Sequence, residues 1–237
     1  MLRVVRSPIS LSASVSCMDL MHLADDLAAV EESDVSFLHF DVVDGVFNTC
    51  FILGAPTLEA LRKCTDLPIE AHLAVMKPEF YFSQYVDAGA DYIAFHAETQ
   101  NAEETLRLCD RVRSLGASAI LALRAETNLD DSYIPVLRSV EWVLKLLVQP
   151  GYSGQTLGEE SLASLRHIAG LLREHAPNAG LQADGNVNLD TIPDIVGAGA
   201  DILTGGTSGL FKGKDVKGNA RRMLERAREN ISSSSSS

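Results

Sequence analysis

The chain has 237 residues, 46% of them apolar and 22% charged, enough to bury a large core without disulfide or metal staples. Its 20 basic residues face 32 acidic ones, a formal charge of −12 that argues against nucleic acid and anionic membrane, since both need a basic footprint. No apolar run approaches the roughly 18 residues of a membrane-spanning helix, and Met1 to Arg6 does not read as a signal peptide. Cys17, Cys50, Cys64 and Cys109 form no C-x-x-C pair, so a soluble, cytoplasmic protein with free thiols is expected. In chain order, short runs rich in apolar and β-branched residues recur at Ile9–Ser14, Phe37–Val43, Ile69–Val75, Tyr92–His96, Ala117–Leu123, Trp142–Val148, Gly180–Asp184 and Ile202–Gly206. Between them lie stretches whose apolar residues recur at three- and four-residue spacing, among them Leu58–Cys64, Ala102–Leu115, Glu160–His175 and Val216–Asn230.

Two connections carry the same punctuation, Asp87-Ala88-Gly89-Ala90-Asp91 and Gly197-Ala198-Gly199-Ala200-Asp201. Each places a glycine just past a helix and ahead of a strand, where a helix C-cap wants it. Eight units along the chain come to about 30 residues each, the size of one strand-plus-helix repeat. Alternation without a composition break predicts a parallel sheet, and eight units predict an α/β fold, the (β/α)8 TIM barrel, as a single domain over residues 1–231. A doubly wound open sheet is the competing arrangement. The serine run 232–237 reads as a disordered tail.

Barrel enzymes place their chemistry at the C-terminal strand ends and the loops that follow. His39 and Asp41 are two apart on the second strand and so share a face. The third strand carries His72, the fourth ends with His96 and Glu98, and the seventh ends with Asp184. Taken alone, a strand-end histidine reads first as structural, and Asp41 or Asp44 as a turn-capping carboxylate. Together, two imidazoles and two carboxylates suit one divalent ion of the Zn, Fe, Mn or Co type, with His96 and Glu98 orienting the ligands from behind. Glycine loops follow the last three strands: Pro150-Gly151-Tyr152-Ser153-Gly154-Gln155, Asp184-Gly185-Asn186 and Gly205-Gly206-Thr207-Ser208-Gly209. Such loops bind phosphate through backbone N–H groups without lysine, so the acidic net charge does not exclude an anionic substrate.

At these residues the chain resembles the ribulose-phosphate 3-epimerase family, including its allulose-6-phosphate 3-epimerase branch. The resemblance runs from about Ile9 to Phe211 and rests on Leu11-Ser12-Ala13, His39-x-Asp41-x-x-Asp44-Gly45, His72-Leu73, Ala88-Gly89-Ala90-Asp91, His96-x-Glu98, Pro150-Gly151 with Gly154-Gln155, and Asp184-Gly185. Cys17-Met18-Asp19-Leu20 and Gly206-Thr207-Ser208-Gly209-Leu210-Phe211 look like the allulose-6-phosphate branch. It implies metal ligands His39, Asp41, His72 and Asp184, with Asp41 and Asp184 as the proton-transfer pair. It also implies substrate contacts at Ser12, His72, Gly151, Tyr152, Ser153, Gly154, Gly185, Asn186, Gly206 and Thr207. The implied reaction interconverts D-ribulose 5-phosphate and D-xylulose 5-phosphate, a pentose phosphate pathway step, through a cis-enediolate. D-allulose 6-phosphate is the alternative substrate, and homo-oligomers, dimers or hexamers, are the implied assembly.

The chain also departs from the family pattern. Val43, Ala74 and Leu146 stand where pocket methionines are usual, and Asn48-Thr49-Cys50 replaces Val-Pro-Asn. Arg124-Ala125-Glu126-Thr127-Asn128 replaces Asn-Pro-x-Thr-Pro, Gln149 ends the sixth strand in place of Asn, Asp or Glu, and Asn186 replaces a second glycine. Ala74 takes several heavy atoms from the pocket wall, which reads either as room for a larger sugar or as looser positioning. Arg124 reads either as a cation near the mouth or as a solvated surface residue. Lys145, mid-strand, should point beneath the helices and there snorkel outward or pair with a helix carboxylate. These departures leave open a phosphosugar-binding barrel that has lost catalysis. An aldolase or decarboxylase on the same scaffold would need a Schiff-base lysine, and Lys145 has no evident route to the mouth.

Overall fold

The computed structural model describes residues 9–148 and 157–234, with side chains up to 231. Eight parallel strands are present, β1 Ser10–Ser14, β2 Phe37–Asp44, β3 Ile69–Ala74, β4 Tyr92–His96, β5 Ser118–Leu123, β6 Trp142–Leu146, β7 Gly180–Asp184 and β8 Ile202–Gly205. Eight α-helices alternate with them, α1 Leu23–Glu31, α2 Ala55–Arg62, α3 Phe82–Asp87, α4 Ala102–Ser114, α5 Ile134–Leu137, α6 Glu159–His175, α7 Ile192–Gly197 and α8 Val216–Ser234. Strand β1 pairs with both β8 and β2, so the sheet closes on itself and the open doubly wound alternative is ruled out. A two-residue strand, Phe51–Ile52, runs antiparallel to the end of β2 and has no counterpart in the sequence reading. Helix α8 takes in Ser232–Ser234, so regular structure runs into the serine run rather than stopping at 231.

Helix α4 shows how local sequence sets an element. Asn101 caps it, its side-chain oxygen accepting from the Glu104 N–H at 2.9 Å, a contact worth about 1 kcal/mol. Thr105, Leu108, Cys109 and Val112 bury the inward stripe at three- and four-residue spacing. The duplicated Ala-Gly-Ala-Asp connections do the same work twice. Gly89 and Gly199 take φ of +109° and +107°, the left-handed region glycine enters without strain. The aspartates that follow reach back to the preceding strand: Asp91 accepts from the Ile69 N–H at 2.9 Å and Asp201 from the Leu181 N–H at 2.8 Å.

Inside the barrel, alternation sorts the residues into levels. The floor is apolar: Phe37, Tyr92, Trp142 and Ile202, from the even-numbered strands, pack together, with Tyr92 and Trp142 ring centres 4.6 Å apart. Two residues further along, β2 and β8 turn polar while β4 and β6 stay apolar with Ala94 and Leu144. Here lie His39 and Thr204, with Ser12, Glu70 and Gln182 from the odd strands, all buried. Two residues further again are Asp41, His72, His96 and Asp184, at the mouth.

Candidate active site

Ligand atoms of His39, Asp41, His72 and Asp184 all lie within 4.8 Å of one another. Two imidazoles and two carboxylates that close form a donor set of the mixed nitrogen and oxygen type that divalent transition ions accept. The side chains present therefore fit such an ion.

Asp41 is tightly held. Its Oδ1 lies 3.0 Å from His39 Nε2 and 3.1 Å from His72 Nδ1, while Oδ2 accepts from Ser16 at 2.9 Å and Ser14 at 3.2 Å. Burial alone would raise the Asp41 pKa, but the His39 charge and the hydrogen bonds outweigh it and hold the carboxyl well below the usual range. Asp184 stands on the opposite wall, 3.8 Å from His39 Nε2. Burial, aided by the Asp41 charge and resisted by His39, pushes its pKa up to about 6. For His39, burial opposes a charge, yet Asp41 and Glu70 on either side prevail and lift its pKa well above the ordinary value.

Sequence reasoning missed what supports this cluster. Glu70 is fully buried and accepts from His39 Nδ1 at 2.7 Å and from the Gln182 amide at 3.0 Å, with the Trp142 indole 3.3 Å from its other oxygen. Gln182 also reaches Thr204 Oγ1 at 3.0 Å, and Ser12 lies 3.3 Å from that hydroxyl. Ser12 is thus buried within the layer beneath the mouth. The signal for Glu70 was present, since it sits two residues before His72 and shares its inward face.

His96 and Glu98 stand behind His72. His96 Nε2 is 2.9 Å from His72 Nε2, and His96 Nδ1 is 2.9 Å from Glu98 Oε2. Burial drives the His96 pKa down to about 4. Burial would raise Glu98, but its bonds to His96 and to the Arg124 N–H bring it down to about 2. Asp44 belongs to the loop instead, accepting from the Val46, Phe47 and Met76 N–H groups at 2.8, 2.7 and 2.9 Å.

Three expectations change. Ala74 does not open the wall, because Phe47 from the loop after β2 packs into that space beside Val43, leaving Ala74 1% exposed. Arg124 is not a solvated surface residue: its guanidinium lies 4.0 Å above the Phe47 ring and donates to the Phe47 carbonyl at 3.0 Å. Lys145 does point beneath the helices, but it neither snorkels nor meets a helix carboxylate. Fully buried, it donates to the carbonyls of Arg124 at 2.6 Å and Thr127 at 2.5 Å, and desolvation brings its pKa down to about 8.

At the proposed phosphate end, Gly185 and Asn186 follow β7 while Gly206 and Thr207 follow the adjacent β8. Asn186 has φ of +51° and so keeps the left-handed backbone of the glycine it replaces, which asparagine tolerates better than most residues. Gly151, Tyr152, Ser153 and Gly154 lie outside the described residues.

Residues 10–211 match the model of the ribulose-phosphate 3 epimerase family. The chain belongs to the ribulose-phosphate 3-epimerase family. The ribulose-phosphate 3-epimerase of Methanocaldococcus jannaschii is 33% identical over 221 residues, 93% of this chain and 92% of that protein. The Aquifex aeolicus protein of the same name is 32% identical over 214 residues, 90% and 94% of the two chains. The family places this chain among the epimerases of the isomerase class and supports action on a ketose phosphate. The fold is shared more widely. A crystal structure of KGPDC from Streptococcus mutans superposes with a TM-score of 0.68 at 14% identity, covering 94% of this chain and 99% of that one. Among the described residues, no helix is long and apolar enough to cross a membrane.

Proposed function

We propose that this family member epimerises D-ribulose 5-phosphate and D-xylulose 5-phosphate at C3, using Asp41 and Asp184 as the proton-transfer pair. The observation that carries this reading is the gathering of two carboxylates and two imidazoles whose ligand atoms all lie within 4.8 Å of one another. Epimerisation beside a carbonyl needs a base to take the C3 proton and an acid to return one to the opposite face. Without an ion bound, Asp41 is held ionised by its donors while burial makes Asp184 the more readily protonated of the two, the inequality that a base and an acid need. The enediolate left between the two steps carries charge on adjacent oxygens. His39, Asp41, His72 and Asp184 would hold a divalent ion, which when bound supplies Lewis-acid stabilisation of that charge. His39 is oriented for ligation by Glu70, which occupies its Nδ1 and turns Nε2 into the cluster.

Gly185, Asn186, Gly206 and Thr207, with Gly151 to Gly154, would cradle the phosphate through backbone N–H groups. Phe47 over Ala74 narrows the wall that a longer sugar would need, which favours the pentulose over allulose 6-phosphate. The test is epimerisation of both phosphates by chelated protein and after restoring Zn, Mn, Fe or Co. Turnover of ribulose 5-phosphate that chelation removes and metal restores supports the assignment. Tight phosphosugar binding without turnover under any metal would instead mark a barrel that binds but does not catalyse.

A further inference from the structure

Three groups lie in a row behind His72 of the candidate metal cluster: the Arg124 N–H, Glu98 and His96. A backbone N–H can only donate, so Glu98 Oε1, 2.7 Å from the Arg124 nitrogen, is an acceptor. The other oxygen, Oε2, then faces His96 Nδ1 at 2.9 Å as part of the same ionised carboxylate, and the ring nitrogen donates to it. The two histidines meet Nε2 to Nε2 at 2.9 Å, a separation that admits one proton between them. His96 is fully buried. Its ring lies 5.1 Å from that of His72 and 4.5 Å from that of Phe47, which carries the Arg124 guanidinium 4.0 Å away. With its Nδ1 proton committed to Glu98 and a cation stacked beyond Phe47, His96 presents a lone pair at Nε2.

We propose that Glu98 and His96 are positioning residues that fix His72 as its Nε2–H tautomer, leaving His72 Nδ1 as the nitrogen offered to the metal. This deepens the metal-site reading above and rests on it. At the far end His72 Nδ1 lies 3.1 Å from Asp41 Oδ1, inside the cluster, where a bound cation would take the place of the proton that Nδ1 donates to that carboxylate in the metal-free protein. Were the order of protons along the row reversed, Nδ1 would hold the only hydrogen of the ring and be closed to ligation. The row is thus a means of selecting one ring nitrogen of a histidine that has no carboxylate of its own on the outer side.

The test uses the full chain, labelled with ¹⁵N-histidine and loaded with Zn²⁺ alone. Nitrogen chemical shifts and one-bond couplings should place the His72 proton on Nε2 and the metal-bound signature on Nδ1. Zn²⁺ affinity, read by competition with a chromophoric chelator, should fall by about 10–100-fold in His96→Leu and largely recover in His96→Gln, which keeps an acceptor oxygen. A His72 proton found on Nδ1, or unchanged affinity in a cooperatively folded His96→Leu, overturns the proposal. Should His96→Leu fail to fold, Glu98→Gln carries the test. Its amide can either donate to or accept from His96, so mixed His72 tautomers and weaker Zn²⁺ binding are expected, and an unaltered spectrum with unaltered affinity overturns the proposal. These readouts need no substrate. A wild-type protein that shows the assigned tautomer yet fails to epimerise would sink the functional reading and leave this one standing.

Discussion

Asp41 and Asp184 sit on opposite walls of one cluster, and the protein treats them differently. On the β2 wall, Asp41 meets two imidazoles and two hydroxyls within 3.2 Å. On the β7 wall, among the described residues, Asp184 has only the approach of His39 at 3.8 Å. Both are partly buried, so desolvation acts on each in the same direction; what separates them is the number of donors aimed at them. A reaction that passes a proton from one face of a carbon to the other needs such an inequality at the start. The proposed proton-transfer pair would start from that inequality.

Removing either carboxylate breaks the comparison outright. Asp41→Asn and Asp184→Asn should each lower epimerisation by about 10²- to 10⁴-fold. The two variants should differ in what survives. Each retains one carboxylate, so each should still wash solvent deuterium into C3 of one epimer, and the two should choose opposite epimers. Proton NMR of both sugar phosphates in D₂O would read this, and wild-type epimerisation in either variant would refute the pairing. The same experiment assigns each carboxylate to its face.

The support beneath the β2 wall is the next place to strike. Glu70→Ala leaves the His39 imidazole, the Gln182 amide and the Trp142 indole without their shared acceptor in the barrel interior. Breaking a buried charged pair from one side costs about 3–5 kcal/mol, which urea denaturation should register. A loss under about 1 kcal/mol would mean the interior rearranges freely around His39.

Proton linkage sharpens the contrast more gently. Raising the Asp184 carboxyl from 3.8 to about 6 means the fold disfavours its ionised form. That cost, about 3 kcal/mol, is full above pH 6 and relieved as pH falls towards 4. Asp41 works in the opposite sense: its contribution is present above 3.8 and lost only below that value, outside the window. The contribution of His39 is complete below 6.5 and lost as pH climbs through its raised pKa, again outside it. Chelated wild type should therefore gain stability relative to Asp184→Asn as pH falls from 6 to 4. Parallel pH profiles of melting for the two proteins would remove the argument.

How much of this was legible beforehand follows from what each feature needs. The barrel needed only rhythm, because each strand and helix carries its own period and the Ala-Gly-Ala-Asp turns mark the joints. His39 with Asp41 needed the two-residue alternation of a strand. Glu70 obeyed the same rule and was overlooked because a mid-strand glutamate carries no motif. Ser14 and Ser16 gave no signal, since a hydroxyl near a strand end has many uses. Phe47 filling the space above Ala74, and Lys145 holding the Arg124 and Thr127 carbonyls, are contacts between segments distant in sequence. Neither a loop phenylalanine nor a backbone carbonyl announces its partner.

The gentlest probe is the clasp over the β2 wall. Arg124 joins the loop after β5 to Phe47 through its ring stacking and one hydrogen bond to the Phe47 carbonyl. Arg124→Ala removes both but keeps the backbone N–H that Glu98 accepts. The stacking is worth about 0.5–1 kcal/mol at a half-open site, and the hydrogen bond about 1 kcal/mol. Phe47 stays anchored by its own N–H to Asp44 and by packing on Val43 and Ala74. A stability loss of about 1–2 kcal/mol is therefore expected, with Zn²⁺ affinity unchanged. Arg124→Lys should recover only part of it, since an ammonium lacks the planar fork that stacks and donates together. If Arg124→Ala instead weakened Zn²⁺ as much as His96→Leu, the clasp would belong to the metal cluster itself, and the β2 wall would be less independent of its loops than the hydrogen bonds around Asp41 indicate.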